Sequence, residues 1–166
     1  MGLPSPFSFT NPLAPTPNPA HESDEARVAF WEKQAGRLSW GKTWDNAHTF
    51  QKPQVIGTDA EGIEEYSVPE IKWFEGGKLN VAYNCVDRHV EAGRGDKVAL
   101  YFEGEPGDRE AITYAELQRR IARAANGLLK LGVRKGDRVV IYLPVIPETI
   151  IFTLACARIG AIHSLV

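Results

Sequence analysis

The sequence has no long apolar run, few cysteines and little net charge, and each of these features excludes a class of protein. No apolar segment is long enough to cross a bilayer, and the first residues contain no apolar stretch of the kind found in secretory signals. Two cysteines in 166 residues cannot form a disulfide framework, so we expect a reducing, cytoplasmic compartment. The net charge is −2, and the most basic short run, LQRRIAR, fits one face of an amphipathic helix. We therefore expect neither nucleic acid nor a membrane as a partner.

The familiar catalytic and phosphate-binding motifs are also missing. Neither G-x-x-x-x-G-K-[ST] nor G-x-G-x-x-G occurs. The nearest glycine-rich segments, FEGGK and EGEPGD, lack the required spacing and a following helix, so we interpret them as turns. H-E-x-x-H, G-x-S-x-G and paired C-x-x-C motifs are absent as well. No reaction class follows from motifs of this kind.

The N-terminal half is rich in proline and then in aromatic residues. Prolines at positions 4, 6, 12, 15, 17 and 19 exclude helix and strand interiors, which predicts an extended tail over residues 1–22. From Ser23, an N-cap serine, acidic first-turn residues and apolar residues at helical spacing predict a short helix. The rest of 23–79 shows no sustained period, which predicts an irregular arm whose large aromatics dock onto a body. These aromatics are Trp40, Trp44, Trp73 and Phe74.

Residues 80–166 alternate predicted helices with apolar runs of strand length. This order predicts an α/β fold with parallel strands alternating with helices, in which consecutive apolar residues mark strands covered on both faces. We assign 80–166 to an incomplete α/β subdomain. The predicted elements are a helix capped by Asn80 and ended by Gly93, a strand at 97–103, a helix from Tyr114, a strand at 138–143, a helix opened by Pro147 and ended by Gly160, and a final buried strand, AIHSLV.

The segment ITYAELQRRIARAANGLLKLG contains the clearest predicted element. Thr113 and Glu116 match a capping box, in which the threonine accepts from a backbone N–H and the glutamate reaches back. Gly132 is expected to end the helix in the left-handed conformation. An apolar stripe repeats at offsets of three and four and consists of Leu117, Ile121, Ala124, Leu128 and Leu131.

The last strand has a functional implication. In open α/β sheets, ligands bind beyond the carboxyl ends of the parallel strands, and the sequence stops inside such a strand. A sheet ending there would expose an edge and apolar helix faces. We therefore expect the chain to be the opening part of a larger protein.

The octapeptide YNCVDRHV supports two interpretations. Cys85 and His89 are four residues apart, so on an α-helix they would share a face and could bind a metal or form a thiolate pair. In the alternative, Tyr83, Val86 and Val90 form a buried stripe with Cys85 beside it. Asp87, Arg88 and His89 then line its polar edge.

Other candidate residues have simpler explanations. A structural zinc site usually needs four ligands, and Cys85 and Cys156 are the available thiols. His163, in the last strand, is interpreted as a hydrogen-bonded core residue. Glu148 and Arg158, near the two ends of one helix, each complement the helix dipole.

Three segments together resemble a known family. They are WFEGGKLNVAYNCVDRHV, ITYAELQRRIARAANGLLKLGVRKGDRVVIYLPVIPE and ACARIGAIHSLV. They are similar to successive blocks in the N-terminal part of the acetyl-coenzyme A synthetases, the AMP-forming acetate–CoA ligases among the adenylate-forming ligases. The similarity covers most of residues 30–166 and excludes the proline-rich start. The fold it implies is the N-terminal part of the large domain of such a ligase.

The resemblance implies a two-step reaction in the complete enzyme. Acetate attacks the α-phosphate of ATP to give acetyl adenylate and pyrophosphate, and the CoA thiol then displaces AMP. ATP, CoA and Mg²⁺ are the implied cofactors. The family's phosphate loop, acyl pocket, CoA pocket and catalytic lysine all correspond to positions beyond Val166, so we assign no catalytic, cofactor-binding or metal-binding residue here.

The sequence leaves two alternatives open. The acyl group could be propionate or another short chain, because the discriminating pocket would be encoded downstream. The chain could also be a non-catalytic protein that binds a ligase subunit through its uncovered sheet edge and aromatic arm. The expected partners are otherwise the remainder of the same polypeptide and the substrates acetate, ATP and CoA, with homo-oligomerisation left open.

Overall fold

A computed structural model describes residues 24–166. The predicted proline-rich tail, 1–22, and the predicted N-cap, Ser23, lie outside the described residues. The chain divides into two compact units, with the division after Arg37.

The first unit contains one described helix, α1 (Asp24–Ala35). It confirms the short helix predicted from apolar spacing. Asp24 in its first turn forms an ion pair with Arg27 at 2.7 Å, and Lys33 lies in the last turn. The negative charge of Asp24 near the start and the positive charge of Lys33 near the end complement the helix dipole.

A folded-back β-ribbon follows in the second unit. Its strands are β1 (Asn46–Gln51), β2 (Val55–Thr58), β3 (Glu64–Tyr66) and β4 (Glu70–Glu75). β1 pairs antiparallel with β4, and β2 pairs antiparallel with β3. We call residues 46–75 the ribbon and residues 55–66 its tip.

The ribbon corrects the predicted irregular arm. Its strands are only three to six residues long, and β3 is exposed along its whole length. Short strands that are exposed on both faces do not show the alternation of apolar and polar residues by which strands are recognised in a sequence. The sequence therefore gave no periodic signal for them.

The large aromatics of this region form a cluster at the base of the ribbon. The ring centroids of Trp40 and Trp44 are 5.1 Å apart, and those of Trp44 and Phe74 are 4.9 Å apart. A Cβ on Gly77 would lie 2.7 Å from the Trp40 ring, so glycine is required for this approach. The aromatics thus pack on one another, whereas the sequence predicted that they dock onto a separate body.

A helix over residues 81–94 leads into a β-hairpin, β5 (Val98–Glu103) and β6 (Arg109–Thr113). The two strands pair antiparallel, which corrects the prediction that the first strand of this region joins a parallel sheet. The turn at 104–108 is closed by a 2.8 Å hydrogen bond from Gly104 N to Asp108 O. So short a connection can only join antiparallel strands. β6 was not predicted.

Helix α2 (Tyr114–Lys130) begins and ends as the sequence predicts. Glu116 N donates to Thr113 Oγ1 at 3.2 Å, and Gly132 has a φ of 95°. The predicted stripe is largely confirmed, since Leu117 and Ile121 are buried and Ala124 and Leu128 are partly buried. Leu131, which follows the last helical residue, is instead 83% exposed.

The C-terminal part is a strand–helix–strand unit. Its elements are β7 (Arg138–Ile141), α3 (Pro147–Ile159) and β8 (Ile162–Leu165). β7 and β8 pair in parallel, with Arg138 opposite Ile162. Pro147 at the first turn and Gly160 with a φ of 76° confirm the predicted helix limits.

The predicted burial of these two strands is wrong within the described structure. Ile141 is buried, but Val140 is 68% exposed and Ile162 is 57% exposed. Successive side chains point to opposite faces, so one face of the β7–β8 pair is covered and the other is exposed.

The main core lies where α2, α3 and the 81–94 helix meet. Its buried members include Val86, Ile112, Ile121, Ile151 and Ala155. Separately, no helix among residues 24–166 is long and apolar enough to span a membrane.

We expect Ile121→Ala to lower the free energy of unfolding by about 2–5 kcal/mol, because Ile121 is fully buried and its truncation leaves a cavity. Urea unfolding followed by circular dichroism measures the change. Asn126→Ala, on the exposed side of the same helix, is the control and should change stability by about 0.5 kcal/mol or less. Equal effects of the two substitutions would contradict the assignment of Ile121 to the core.

Candidate functional site

The octapeptide singled out in the sequence lies on the 81–94 helix. Asn80 caps this helix as predicted, with its Oδ1 accepting from Tyr83 N at 3.1 Å. Two stretches, Tyr83–Asp87 and Val90–Arg94, are wound as π-helix. Gly93 has a φ of 76° and interrupts the regular winding, consistent with its predicted role as the end of the helix.

Cys85 and His89 lie in different environments although they are four residues apart. Cys85 is exposed, whereas the His89 ring packs against Tyr114 at 5.1 Å. Residues 24–166 contain no group of three or more potential metal ligands. The structure therefore gives no support to a metal site at Cys85 and His89.

The alternative interpretation, a buried apolar stripe, is correct in part. Val86 is 1% exposed, and Tyr83 and Val90 are half-buried. Two polar residues are also buried, Asn84 at 7% and Asp87 at 8% exposure. Asp87 was expected on a polar edge, and its burial corrects that prediction.

Asn84 ties the helix to the segment before the ribbon. Its Oδ1 accepts from Ser39 N at 2.8 Å, and its Nδ2 donates to Ser39 O at 2.9 Å. The Asn84 side-chain amide thus bonds both the N–H and the carbonyl of Ser39, as the backbone of a neighbouring strand would. Nδ2 also donates to Asn80 O at 3.1 Å, so the oxygen and the nitrogen of the buried amide both have partners.

Asp87 joins the helix to α2 and α3. Arg158 Nη2 donates to Asp87 Oδ1 at 2.9 Å and to Oδ2 at 2.7 Å. Gln118 Nε2, on α2, donates to Asp87 Oδ1 at 2.6 Å. We call these three residues the Asp87 cluster. Because a buried carboxylate is costly without partners, both donors are needed to keep Asp87 in this position.

Asn80 reinforces the same junction. Its Nδ2 donates to the carbonyl oxygens of Ala157 at 3.4 Å and Arg158 at 3.1 Å. These carbonyls belong to the last turn of α3, where backbone acceptors lack helical partners. One asparagine therefore caps the start of the 81–94 helix and the end of α3.

His89, the histidine of the octapeptide, lies among positively charged side chains. His89 Nδ1 lies 2.7 Å from Arg94 Nη2, so the neutral ring accepts a hydrogen bond there. Burial is the main cause that lowers the pKa of His89, and the positive charges of Arg94, Arg88 and Lys97 lower it further. The ring therefore favours its neutral form in the folded protein.

The two cysteines lie in different environments. Burial raises the pKa of the fully buried Cys156 thiol, which keeps it protonated. Cys85 is a free, exposed cysteine. The structure places neither of them beside a base.

The start of α2 departs in one respect from the predicted capping box. The Glu116 carboxylate accepts from Arg120 Nε at 2.7 Å and also contacts Arg119. The hydrogen bond from Arg120 is the main cause that lowers the pKa of Glu116. Arg120 Nη2 also donates to Glu110. The glutamate was predicted to reach back to the backbone and instead joins an arginine network.

Two further candidates occupy ordinary positions. His163 is half-buried on β8, opposite Val139 in the parallel ladder. Glu148 lies in the first turn of α3, where it complements the helix dipole.

A groove with a volume of about 500 Å³ lies between the ribbon base and the 81–94 helix. Its lining residues are Ser39, Trp40, Gly41, Lys78, Leu79, Asn80 and Tyr83. Within the described residues the groove contains no pair of carboxylates and no nucleophile beside a base.

Two family models match the chain in succession. The model described as acetyl-coenzyme A synthetase N-terminus matches residues 20–85, and the model described as AMP-binding enzyme matches residues 86–166.

Curated relatives carry the same name. The acetyl-coenzyme A synthetase of Streptomyces avermitilis is 54% identical over 148 residues, covering 89% of this chain and 20% of the relative. That of Campylobacter jejuni is 49% identical over 145 residues, covering 87% of this chain and 20% of the relative. The chain thus spans about one fifth of the length of these relatives.

A solved structure shows the same fold. The acetoacetyl-CoA synthetase from Streptomyces lividans matches with a TM-score of 0.66 and 26% identity, covering 86% of this chain and 20% of that one. With mixed helices and strands and a family match over 86–166, the chain has an acyl-CoA synthetase fold of the AMP-binding enzyme class. Within that class it belongs to the acetyl-coenzyme A synthetase family, whose N-terminal part it matches. The resemblance seen in the sequence is confirmed.

The Asp87 cluster was missed at the level of sequence. Asn80, Asn84 and Asp87 are spaced by four and three residues, so a polar stripe on the helix could have been noticed. Its partner Arg158 is 71 positions from Asp87, and no local pattern indicates that contact.

We expect Asp87→Ala to lower the free energy of unfolding by about 1.5–3 kcal/mol, because it removes charged hydrogen bonds and leaves Arg158 without its carboxylate. A double-mutant cycle with Arg158→Ala, measured by urea unfolding, should give a clearly positive coupling energy. Glu103→Ala is the control: its pair with Arg109 is exposed, so the loss should be below about 1 kcal/mol. Additive effects of the Asp87 and Arg158 substitutions would contradict the cluster.

We expect His89 to contribute to a loss of stability at acidic pH. Its pKa is lowered in the folded state, so its contribution is full above the unfolded-state pKa of about 6.5 and is lost as pH falls through the lower folded-state value. His89→Gln keeps an acceptor for Arg94 but does not titrate, so thermal unfolding midpoints should fall less between about pH 7 and pH 5. Asn126→Ala, which changes no titratable side chain, should keep the unmodified profile. Identical profiles for all three proteins would rule out this role of His89.

Proposed function

We propose that the chain is the N-terminal segment of an acetate–CoA ligase that forms acetyl-CoA from acetate, ATP and CoA. The observation that carries the proposal is the 54% identity to an acetyl-coenzyme A synthetase over 89% of the chain. In the complete enzyme, acetate would displace pyrophosphate from ATP to form acetyl adenylate. The CoA thiol would then displace AMP. Mg²⁺ would neutralise charge on the phosphates.

The described residues do not fit a site for ATP phosphates or Mg²⁺. Phosphate sites need converging backbone N–H groups, typically where a glycine-rich loop enters a helix. Here the glycines at 104 and 107 lie in the β5–β6 turn, which is followed by a strand. Residues 24–166 also contain no cluster of candidate metal ligands. We therefore propose that the reacting groups are bound by residues outside this segment.

The contribution we propose for this chain is positional. The Asp87 cluster and Asn80 fix the carboxyl end of α3 against the 81–94 helix. The chain then turns at Gly160 into β8, which lies in register with β7. Residues 80–166 would thereby form the first part of an α/β subdomain, with the binding groups placed beyond the ends of its parallel strands.

Two alternatives have specific support. Similarity to an acetoacetyl-CoA synthetase structure is compatible with another short acyl group. The exposed face of the β7–β8 pair would suit a stand-alone protein that binds a ligase subunit. We further propose a cytoplasmic location, because both cysteines are free and a reducing compartment preserves them.

We expect the native polypeptide that carries this sequence to catalyse acetate-dependent exchange of labelled pyrophosphate into ATP, and the 166-residue chain alone to catalyse none. Native polypeptide and isolated chain are compared at equal concentration, with propionate replacing acetate in a parallel reaction. Faster exchange with propionate than with acetate would favour propionate as the substrate. Exchange by the isolated chain, or a native product no longer than this chain, would refute the proposal.

A further inference from the structure

The tip of the ribbon is acidic and apolar. Between residues 55 and 66 there are four carboxylates and no lysine or arginine. The same segment exposes large apolar side chains: Ile56 is 67%, Ile63 65% and Tyr66 57% exposed. An acidic rim around exposed apolar residues is typical of a surface that binds a partner.

The two strands of the tip also form no larger sheet in the described structure. β2 and β3 pair with each other and with no other strand among residues 24–166. Two-stranded ribbons are marginally stable alone and usually pack against another surface. The outer edges of both strands carry backbone groups without ladder partners.

The outer face of α2 has the opposite charge. No aspartate or glutamate occurs between residues 117 and 136, whereas this stretch contains six lysines and arginines. Arg119, Arg123 and Lys130 are exposed at helical spacing along one side. Leu129 and Leu131 flank Lys130 at the end of the helix and are 38% and 83% exposed. We call this surface the α2 basic face.

We propose that the ribbon tip of one copy of this protein docks on the α2 basic face of a second copy. Charge complementarity identifies the occupant, since each surface carries what the other lacks. The apolar residues of the tip and the two leucines that flank Lys130 would form the centre of the contact. The carboxylates and the basic side chains would form its rim.

The proposed contact has a defined symmetry. It joins two different surfaces, so it is heterologous, and each copy keeps one free tip and one free basic face. Such contacts give a closed ring or an open chain of copies instead of a two-fold dimer. Because the rim is charged and exposed, association should weaken as salt is raised.

The test uses the native polypeptide and sedimentation velocity at low and high salt. The tip variant is Glu61→Lys with Glu65→Lys. It spares Asp59, whose Oδ1 accepts from the backbone of residues 61 and 63 in the turn. The face variant is Arg123→Glu with Lys130→Glu, which spares Arg119 and its contact with Glu116.

We expect each variant to weaken association by about tenfold or more, because like charges then face each other. A protein that carries all four substitutions regains complementary charges, and its association should recover. The matched control, Glu25→Lys with Glu105→Lys, makes the same charge change at exposed positions elsewhere and should leave association unchanged.

Three results would overturn the proposal. The first is a monomer at all protein and salt concentrations. The second is association that both variants leave unchanged, or that the four-fold variant fails to restore. The third is a fall in thermal stability of a monomeric tip variant, which would show that the tip packs within its own polypeptide.

Discussion

A single carboxylate, that of Asp87, determines how three helices meet. A charge that is 8% exposed is retained only if its oxygens are bonded, and its partners come from α2 and α3. The position of α3 is therefore tied to the 81–94 helix by chemistry more specific than apolar contact. Apolar packing between Val86, Ile121 and Ala155 supplies cohesion, while the carboxylate selects one arrangement among those that the apolar residues would accept.

The two family models meet at a position with no physical boundary. One ends at residue 85 and the other begins at residue 86, within one continuous π-helical turn. Asn84, on the first side, holds the segment before the ribbon, and Asp87, on the second, holds α3. The helix thus connects the two matched regions through neighbouring residues. Separating them at this position would break both sets of contacts.

The sequence predicted what is local and missed what is distant. Asn80, Thr113, Pro147 and Gly160 mark helix ends correctly, because caps depend on residues within one turn. The pairing of β5 with β6 was missed because REAIT is short and polar. The π winding of Tyr83–Asp87 and Val90–Arg94 was not predicted either. For the candidate site, the family resemblance was confirmed. The contact of Asp87 with Arg158 could be found only in the three-dimensional structure.

The contacts of α3 differ in the length of chain that they close, so they become possible at different times during synthesis. β7, α3 and β8 span residues 138–165, so their contacts close short loops and can form quickly once this segment leaves the ribosome. The bond between Asp87 and Arg158 closes a loop of 71 positions and requires that α3 has already been made. Ser39 and Gln118, which also contact the 81–94 helix, precede α3 in the chain, so Arg158 is the last of these partners to be made. Until Arg158 is made, the Asp87 carboxylate has Gln118 but not its arginine, so the complete burial of this carboxylate must await α3.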